Sequence, residues 1–170
     1  MNRVRREALG FWLKELVFKG FSPKALCPGP RAHKEAIMNR QELISIFNKR
    51  PRIGTLSTAN SKGEVNVAVF GSPQMIDENT VVMGIGKNRS FQNLRENPHA
   101  VFIVMEPGET IMDWKGARVY LEVLDIQTDG GFYDQIKENI AKAAGKQAAD
   151  MIHAAIRFKI TEVMRIVDFG

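Results

Sequence analysis

The chain has 170 residues, of which 44% are apolar and 25% are charged. That length suits one ordinary domain with a buried core, and the composition is typical of globular proteins. A net charge of +5 would fit a nucleic-acid partner, but residues 1–37 carry eight Lys/Arg and three Asp/Glu, whereas residues 38–170 carry sixteen of each. The excess charge therefore belongs to the N-terminal extension, and the neutral remainder does not predict binding to DNA or RNA.

Three features of the sequence bear on its cellular location. No apolar run approaches the roughly 18–20 residues that span a membrane. Lys14 and Glu15 interrupt the first apolar stretch, which argues against a signal peptide. The single cysteine, Cys27, excludes an intramolecular disulfide and fits a reducing compartment. We therefore predict a cytoplasmic protein without an integral membrane segment.

Residues 1–37 are predicted to form a basic extension that precedes the main domain at 38–170. Residues 4–19 have the apolar spacing of an amphipathic helix, and a linker rich in Pro and Gly follows. Such a helix can pack on the barrel of its own or a partner subunit, or bind a membrane surface or another partner. A further alternative is that Met38 is the native start of the chain.

Within 38–170, hydrophobic periodicity and turn residues predict alternating groups of strands and helices. In chain order these are a helix over 41–49, strands over 53–59, 64–70 and 80–86, a short helix over 91–97, strands over 99–106 and 116–127, two helices between 132 and 151, and one or two strands over 154–167. Strands in mostly sequential order with helices between them predict a mainly antiparallel β-barrel with flanking helices.

The turn after the strand over 80–86 is predicted to bind an anion. It reads Gly84-Ile85-Gly86-Lys87-Asn88-Arg89-Ser90 and leads directly into the short helix. The free N–H groups and the dipole at a helix N-terminus favour negative charge. Arg89 adds a guanidinium group and Ser90 adds a hydroxyl group, so both can share one anion.

Two stretches of this chain carry a family resemblance. They are Lys62-Gly63-Glu64-Val65-Asn66-Val67-Ala68-Val69-Phe70-Gly71 and the segment from Gly84 through Asn93-Leu94-Arg95-Glu96-Asn97-Pro98. Together they resemble the FMN-binding split-barrel proteins related to pyridoxamine 5′-phosphate oxidase. The resemblance implies an antiparallel split β-barrel that forms a homodimer and binds FMN between the subunits. That family also has heme-handling, F420-dependent and flavin-reductase branches.

The resemblance also implies which residues contact the phosphate of FMN. Arg89 and Ser90 match the pair that binds the 5′-phosphate, Arg89 through a charged hydrogen-bonding fork. The alternative for Arg89 is a solvated surface charge. Ser90 has the alternative role of capping the helix. Asn93 matches a family asparagine, with the alternative role of tying the backbone of the turn. Gly86, which lies within the same turn, is also predicted to bind the cofactor.

A second set of residues matches positions that contact the flavin ring. Ala68, Val69 and Phe70 occupy the strand that runs along the ring in this family. Because alternate residues face opposite sides of a sheet, either Ala68 and Phe70 line the site while Val67 and Val69 face the core, or the reverse holds. Phe70 is an ordinary core residue in the other interpretation.

Two further groups of residues are candidates for contact with the ring. Trp114 would cover the flavin of either subunit, or serve as a buried structural residue. The polar residues available to hydrogen-bond the ring are Ser57, Asn66 and Ser72.

The chain departs from true pyridoxamine phosphate oxidases at its end. It closes with Ile166-Val167-Asp168-Phe169-Gly170 and lacks their Arg-Leu-x-Pro-like ending, so we do not expect that oxidase activity. We expect a flavin-dependent oxidoreductase or electron-transfer protein of unknown substrate. The alternatives are a non-catalytic cofactor-binding or sensor module, and a deazaflavin (F420)-dependent reductase. The three histidines lie far apart, and no metal site is expected.

Overall fold

The computed structural model describes residues 39–167, and the predicted helix over 4–19 lies outside them. The elements are, in chain order, α1 (Arg40–Asn48), β1 (Ile53–Ala59), β2 (Val65–Val69), β3 (Gln74–Met75), β4 (Thr80–Ile85), α2 (Arg89–Glu96), β5 (His99–Glu106), a 3₁₀ turn (Ile111–Asp113), β6 (Lys115–Gln127), α3 (Gly131–Ala144), α4 (Lys146–Asp150) and β7 (Ala154–Arg165). Of the helices in this part of the chain, none is both long and apolar enough to span a membrane.

All seven strands belong to one antiparallel sheet, in the order β2-β1-β5-β6-β7-β4-β3. The register of β6 against β7 shifts twice, after Tyr120 and after Val123, and such bulges bend a sheet. The segment after β2 approaches β4, because Ser72 Oγ donates a 2.7 Å hydrogen bond to the carbonyl oxygen of Gly84. The segment that leaves the edge strand β2 therefore approaches the opposite end of the strand order, and the sheet forms a split barrel.

The core is built from one face of each long strand and is closed by α1. Leu56 of β1, Phe102 of β5 and Phe158 of β7 are fully buried. Leu43 and Phe47 of α1 cover them, with the rings of Phe47 and Phe102 5.1 Å apart. Burial of each such side chain contributes about 1.5–3 kcal/mol to stability, so this core holds the site-bearing strands in a fixed register.

Most predicted elements are present at or near their predicted bounds. The strands over 53–59 and 99–106 are confirmed without change, and Gly145 separates α3 from α4 as expected. The final segment is a single strand, β7. The two-residue strand β3 was not predicted, because a bridge that short leaves no periodic pattern in the sequence.

Candidate functional site

A cavity of about 630 Å³ lies where the ends of β2 and β4 meet the helices α3 and α4. That volume falls within the range of small-molecule and cofactor sites. Its strand side is formed by Phe70, Gly71 and Ser72 after β2, and by Gly84 and Gly86 at the end of β4. The hydrogen bond from Ser72 to Gly84 fixes these two segments relative to each other.

The helical side of the cavity is aliphatic. Ile136 and Ile140 of α3 line it together with Met151 and Ile152, which follow α4. This wall depends on Gly84, because a Cβ at that position would lie 2.5 Å from Ile140 Cδ1 and 3.2 Å from Ile152 Cδ1. Because Gly84 has no side chain, α3 can pack closely over β4 at the cavity.

A third side of the cavity is basic. Arg52 lies over the rings of Phe47 and Phe102, at 5.0 and 5.6 Å from their centroids, and donates to the carbonyl oxygens of Phe47 and Pro73. Arg50 donates to the same Pro73 oxygen at 3.4 Å. Burial, with a smaller contribution from the charge of Arg50, lowers the pKa of Arg52 to about 10. No Asp or Glu of the described chain lines this cavity.

The predicted anion-binding turn lies at the edge of the cavity. Asn88 lines the cavity and caps α2, because its side-chain oxygen accepts a 3.0 Å hydrogen bond from the backbone N–H of Phe91. The alternative that Ser90 caps this helix is therefore wrong. Arg89 is exposed, and its side chain has no hydrogen-bond or ion-pair partner within residues 39–167.

Ser90 and Asn93 point away from solvent and hold α2 against the sheet. Ser90 is 1% exposed, and its hydroxyl oxygen accepts a 2.9 Å hydrogen bond from the side-chain amide of Asn66 on β2. Asn93 is buried and donates at 3.1 Å to Thr58 Oγ1 on β1. The side chain of Asn93 thus ties the helix to β1 and does not tie the backbone of the turn.

Strand β2 presents two different faces. Val65, Val67 and Val69 are exposed by 77%, 63% and 76%, whereas Ala68 and Phe70 are half-buried on the opposite side. The arrangement with Val67 and Val69 in the core is therefore wrong. Phe70 packs against the core and also lines the cavity. It can therefore be both a core residue and a residue that contacts a ligand.

The structure brings three of the eight predicted cofactor residues to the cavity wall, namely Val69, Phe70 and Gly86. Those that do not line it are Arg89, Ser90, Asn93, Ala68 and Trp114. Trp114 is half-buried in the turn before β6. The basic wall was not predicted, although Arg50-Pro51-Arg52 stands directly before β1. The helical wall was not predicted either, since no local pattern in the sequence indicates that α3 folds back over β4.

Comparison with known proteins supports the fold. No protein-family model matches the chain, and no curated protein sequence matches it. The solved structure of an FMN-binding protein from Syntrophomonas wolfei subsp. wolfei is similar over 98% of this chain and 97% of that chain, with a TM-score of 0.68 and 24% identity.

Two other solved structures share the architecture at lower similarity. One is HutZ, the heme storage protein from Vibrio cholerae, with a TM-score of 0.53 and 16% identity over 74% of this chain and 88% of that one. The other is an F420 reductase, with a TM-score of 0.51 and 20% identity over 71% of this chain and 94% of that one. The chain has the split-barrel fold of these cofactor-binding proteins, so the resemblance seen in the sequence is confirmed for the fold.

Proposed function

We propose that this protein binds FMN in the cavity and acts as a flavin-dependent oxidoreductase or electron-transfer protein. The observation that carries the proposal is the position of Asn88, which belongs both to the cavity wall and to the N-terminus of α2. The cavity, which would hold the flavin ring, is therefore adjacent to a helix N-terminus, which would bind the phosphate. The structural neighbour from S. wolfei, an FMN-binding protein by name, gives the proposal its cofactor.

The chemistry of the cavity wall fits an isoalloxazine ring. One broad side is aliphatic, through Ile136, Ile140 and Ile152. Hydrogen-bonding groups stand among these residues, including the side chains of Gln74 and Asn139. A few polar groups in a mainly apolar pocket are the usual means of orienting a flat ligand with a polar edge. The volume of the cavity and its hydrogen-bonding side chains therefore suit a flavin.

Arg89 is the side chain that we assign to the phosphate of FMN. It is exposed, has no partner within residues 39–167, and begins α2, where the first N–H groups lack intrahelical acceptors. A guanidinium group binds phosphate through two parallel hydrogen bonds. In this proposal the buried Ser90 keeps the turn in place through its bond with Asn66.

A bound flavin itself supplies the hydride or electron transfer. The work left to the protein is to hold the ring, orient its reactive edge and limit the access of water. The aliphatic wall from α3 and the paired segments at Ser72 and Gly84 are suited to these tasks. The identity of the electron donor or acceptor is therefore a separate question from the binding of the ring.

We also propose that the protein is a homodimer. Val65, Val67 and Val69, here called the valine face, project from an edge strand. Val67 and Val101 both pair with Ser57, so the half-buried β5 residue Val101 continues the same side of the sheet. Exposed apolar patches and open sheet edges are commonly covered by a partner. A second copy of this chain would cover both.

Titration of the purified protein with FMN tests the proposed cofactor. We expect one FMN per chain, with quenching of flavin fluorescence and a shifted visible spectrum. A protein that remains colourless and leaves the FMN spectrum unchanged at excess ligand would overturn the flavin proposal. Parallel titrations with F420 and with heme test the ligand classes of the other structural neighbours, and tighter binding of either would replace FMN in the proposal.

A further inference from the structure

The basic wall of the cavity lacks a balancing negative charge. Arg50 and Arg52 both line the cavity, and within residues 39–167 neither has a carboxylate partner. The guanidinium groups share only neutral acceptors, chiefly the carbonyl oxygen of Pro73. Burial of a charge is costly unless an opposite charge or hydrogen bonds compensate it, and Arg52 is half-buried at the cavity wall.

Arg52 also retains unused hydrogen-bonding capacity. Its Nε is buried and has no acceptor, although the two terminal nitrogens donate to backbone carbonyls. Buried polar groups in proteins are nearly always paired. Stacking over Phe47 and Phe102 keeps this guanidinium group at the cavity wall, so its position is fixed before a ligand binds.

We propose that Arg50 and Arg52 form a subsite for the oxyanion of a small substrate, a carboxylate or phosphate group carried by the molecule that reacts beside the flavin. This inference rests on the proposed function and adds the class of substrate to it. Planar guanidinium forks match the geometry of both oxyanions. The lack of any acidic side chain of the described chain in the cavity lining favours an anion over a cation or a neutral ligand.

Benzoate, phenyl phosphate and the neutral benzamide are suitable probes, because they share a ring and differ in the group that the arginines would hold. Binding to the FMN-loaded protein is followed by the change in flavin absorbance, and binding to the flavin-free protein by calorimetry. We expect one of the two anions to bind at least tenfold more tightly than benzamide. The affinity for that anion should fall as the NaCl concentration is raised. The tighter anion identifies the oxyanion class.

Two variants and a control locate the subsite. Arg50→Gln removes the exposed guanidinium group, and Arg52→Lys keeps the charge of the inner group while changing its geometry. Each variant should lower the affinity for the preferred anion by about tenfold to a hundredfold, the usual effect of losing a charged hydrogen bond. Lys49→Gln is the matched control, because Lys49 pairs with Glu106 at 2.7 Å and does not line the cavity.

Several outcomes would overturn the inference. These are equal binding of benzoate, phenyl phosphate and benzamide, no binding of any of them, and an equal effect of Lys49→Gln and Arg50→Gln. If Arg50→Gln weakens the binding of FMN but not of riboflavin, Arg50 and Arg52 hold the flavin phosphate, and the substrate subsite is excluded. If the wild-type protein binds no flavin, the proposed function fails, and calorimetry on the flavin-free protein still decides whether the oxyanion subsite exists.

Discussion

The side-chain amide of Asn66 donates a 2.9 Å hydrogen bond to the hydroxyl oxygen of Ser90, and so joins edge strand β2 to the first turn of α2. A second bond, from Asn93 to Thr58, joins the same helix to β1. Both bonds lie in buried or partly buried surroundings, where an unpaired polar group is costly. The turn that carries Arg89 is therefore held from two sides.

Replacement of Ser90 by Ala removes the acceptor of Asn66. The free energy of unfolding should fall by about 1–3 kcal/mol, because the amide is left without a partner in a partly buried place. FMN affinity should fall less than in Arg89→Ala, since Ser90 is buried. Urea denaturation and FMN titration measure the two effects. A larger loss of FMN affinity in Ser90→Ala than in Arg89→Ala would contradict the assignment of the phosphate to Arg89.

Arg89→Ala should weaken FMN binding by roughly 1.5–3 kcal/mol, which is a tenfold to more than hundredfold loss of affinity. Riboflavin, which has no phosphate, should bind the variant and the wild type alike. Fluorescence titration of both ligands at fixed salt gives the comparison.

Arg95→Ala is the matched control for Arg89→Ala. Arg95 is an exposed arginine on the same helix, with its guanidinium 6.0 Å from the ring centroid of Phe91, and lies outside the N-terminal turn. It should leave FMN affinity unaltered. Equal losses of affinity for FMN and for riboflavin in Arg89→Ala would mean that the phosphate binds elsewhere.

Val67→Asp should convert the proposed dimer to a monomer, because it places a charge at the centre of the valine face. Burial of an unpaired carboxylate at an apolar interface is strongly unfavourable. Sedimentation velocity at micromolar concentration measures the change. Leu124→Asp is the control, since Leu124 is also exposed, by 56%, but lies on β6 outside the valine face. A wild-type protein that sediments as a monomer with flavin bound would refute the homodimer.

Gly116→Ala should destabilise the protein by about 1–3 kcal/mol or more, the usual range for overpacking. Gly116 has φ +155°, and a Cβ there would overlap the carbonyl oxygen of Val104 on the neighbouring strand. Thermal denaturation provides the measurement. Gly131→Ala is the control, because a Cβ at Gly131 meets nothing within 4 Å, and it should be neutral or slightly stabilising. Similar losses in both variants would contradict this account of the β5–β6 pairing.

The sequence predicted the fold well because most of its strands and helices are long and periodic. The segment 99–106, for example, reads as a strand from its apolar run alone, and the observed strand has those bounds. The side on which the residues of β2 face could not be decided in the same way. Val65, Val67 and Val69 alternate with smaller or polar residues, and alternation gives the period without saying which side meets the core.

The site was less predictable than the fold because it depends on contacts between distant segments. Asn88 could be recognised as part of a turn, but its place in the cavity wall follows from α3, some fifty residues further along. Arg52 is similar, since its guanidinium group is held by the carbonyl of Pro73, which belongs to another loop. Neither relationship leaves a pattern in the local sequence.

Val69 belongs to two surfaces at once, because it is exposed on the valine face and also borders the cavity. A subunit that docks over the valine face would therefore also form part of the rim around the ligand. In such an arrangement self-association and ligand binding are thermodynamically linked, and each strengthens or weakens the other by the same factor. Ligand affinity measured on dilute protein would then differ from the affinity at high protein concentration, and saturation with ligand would shift the association equilibrium in return.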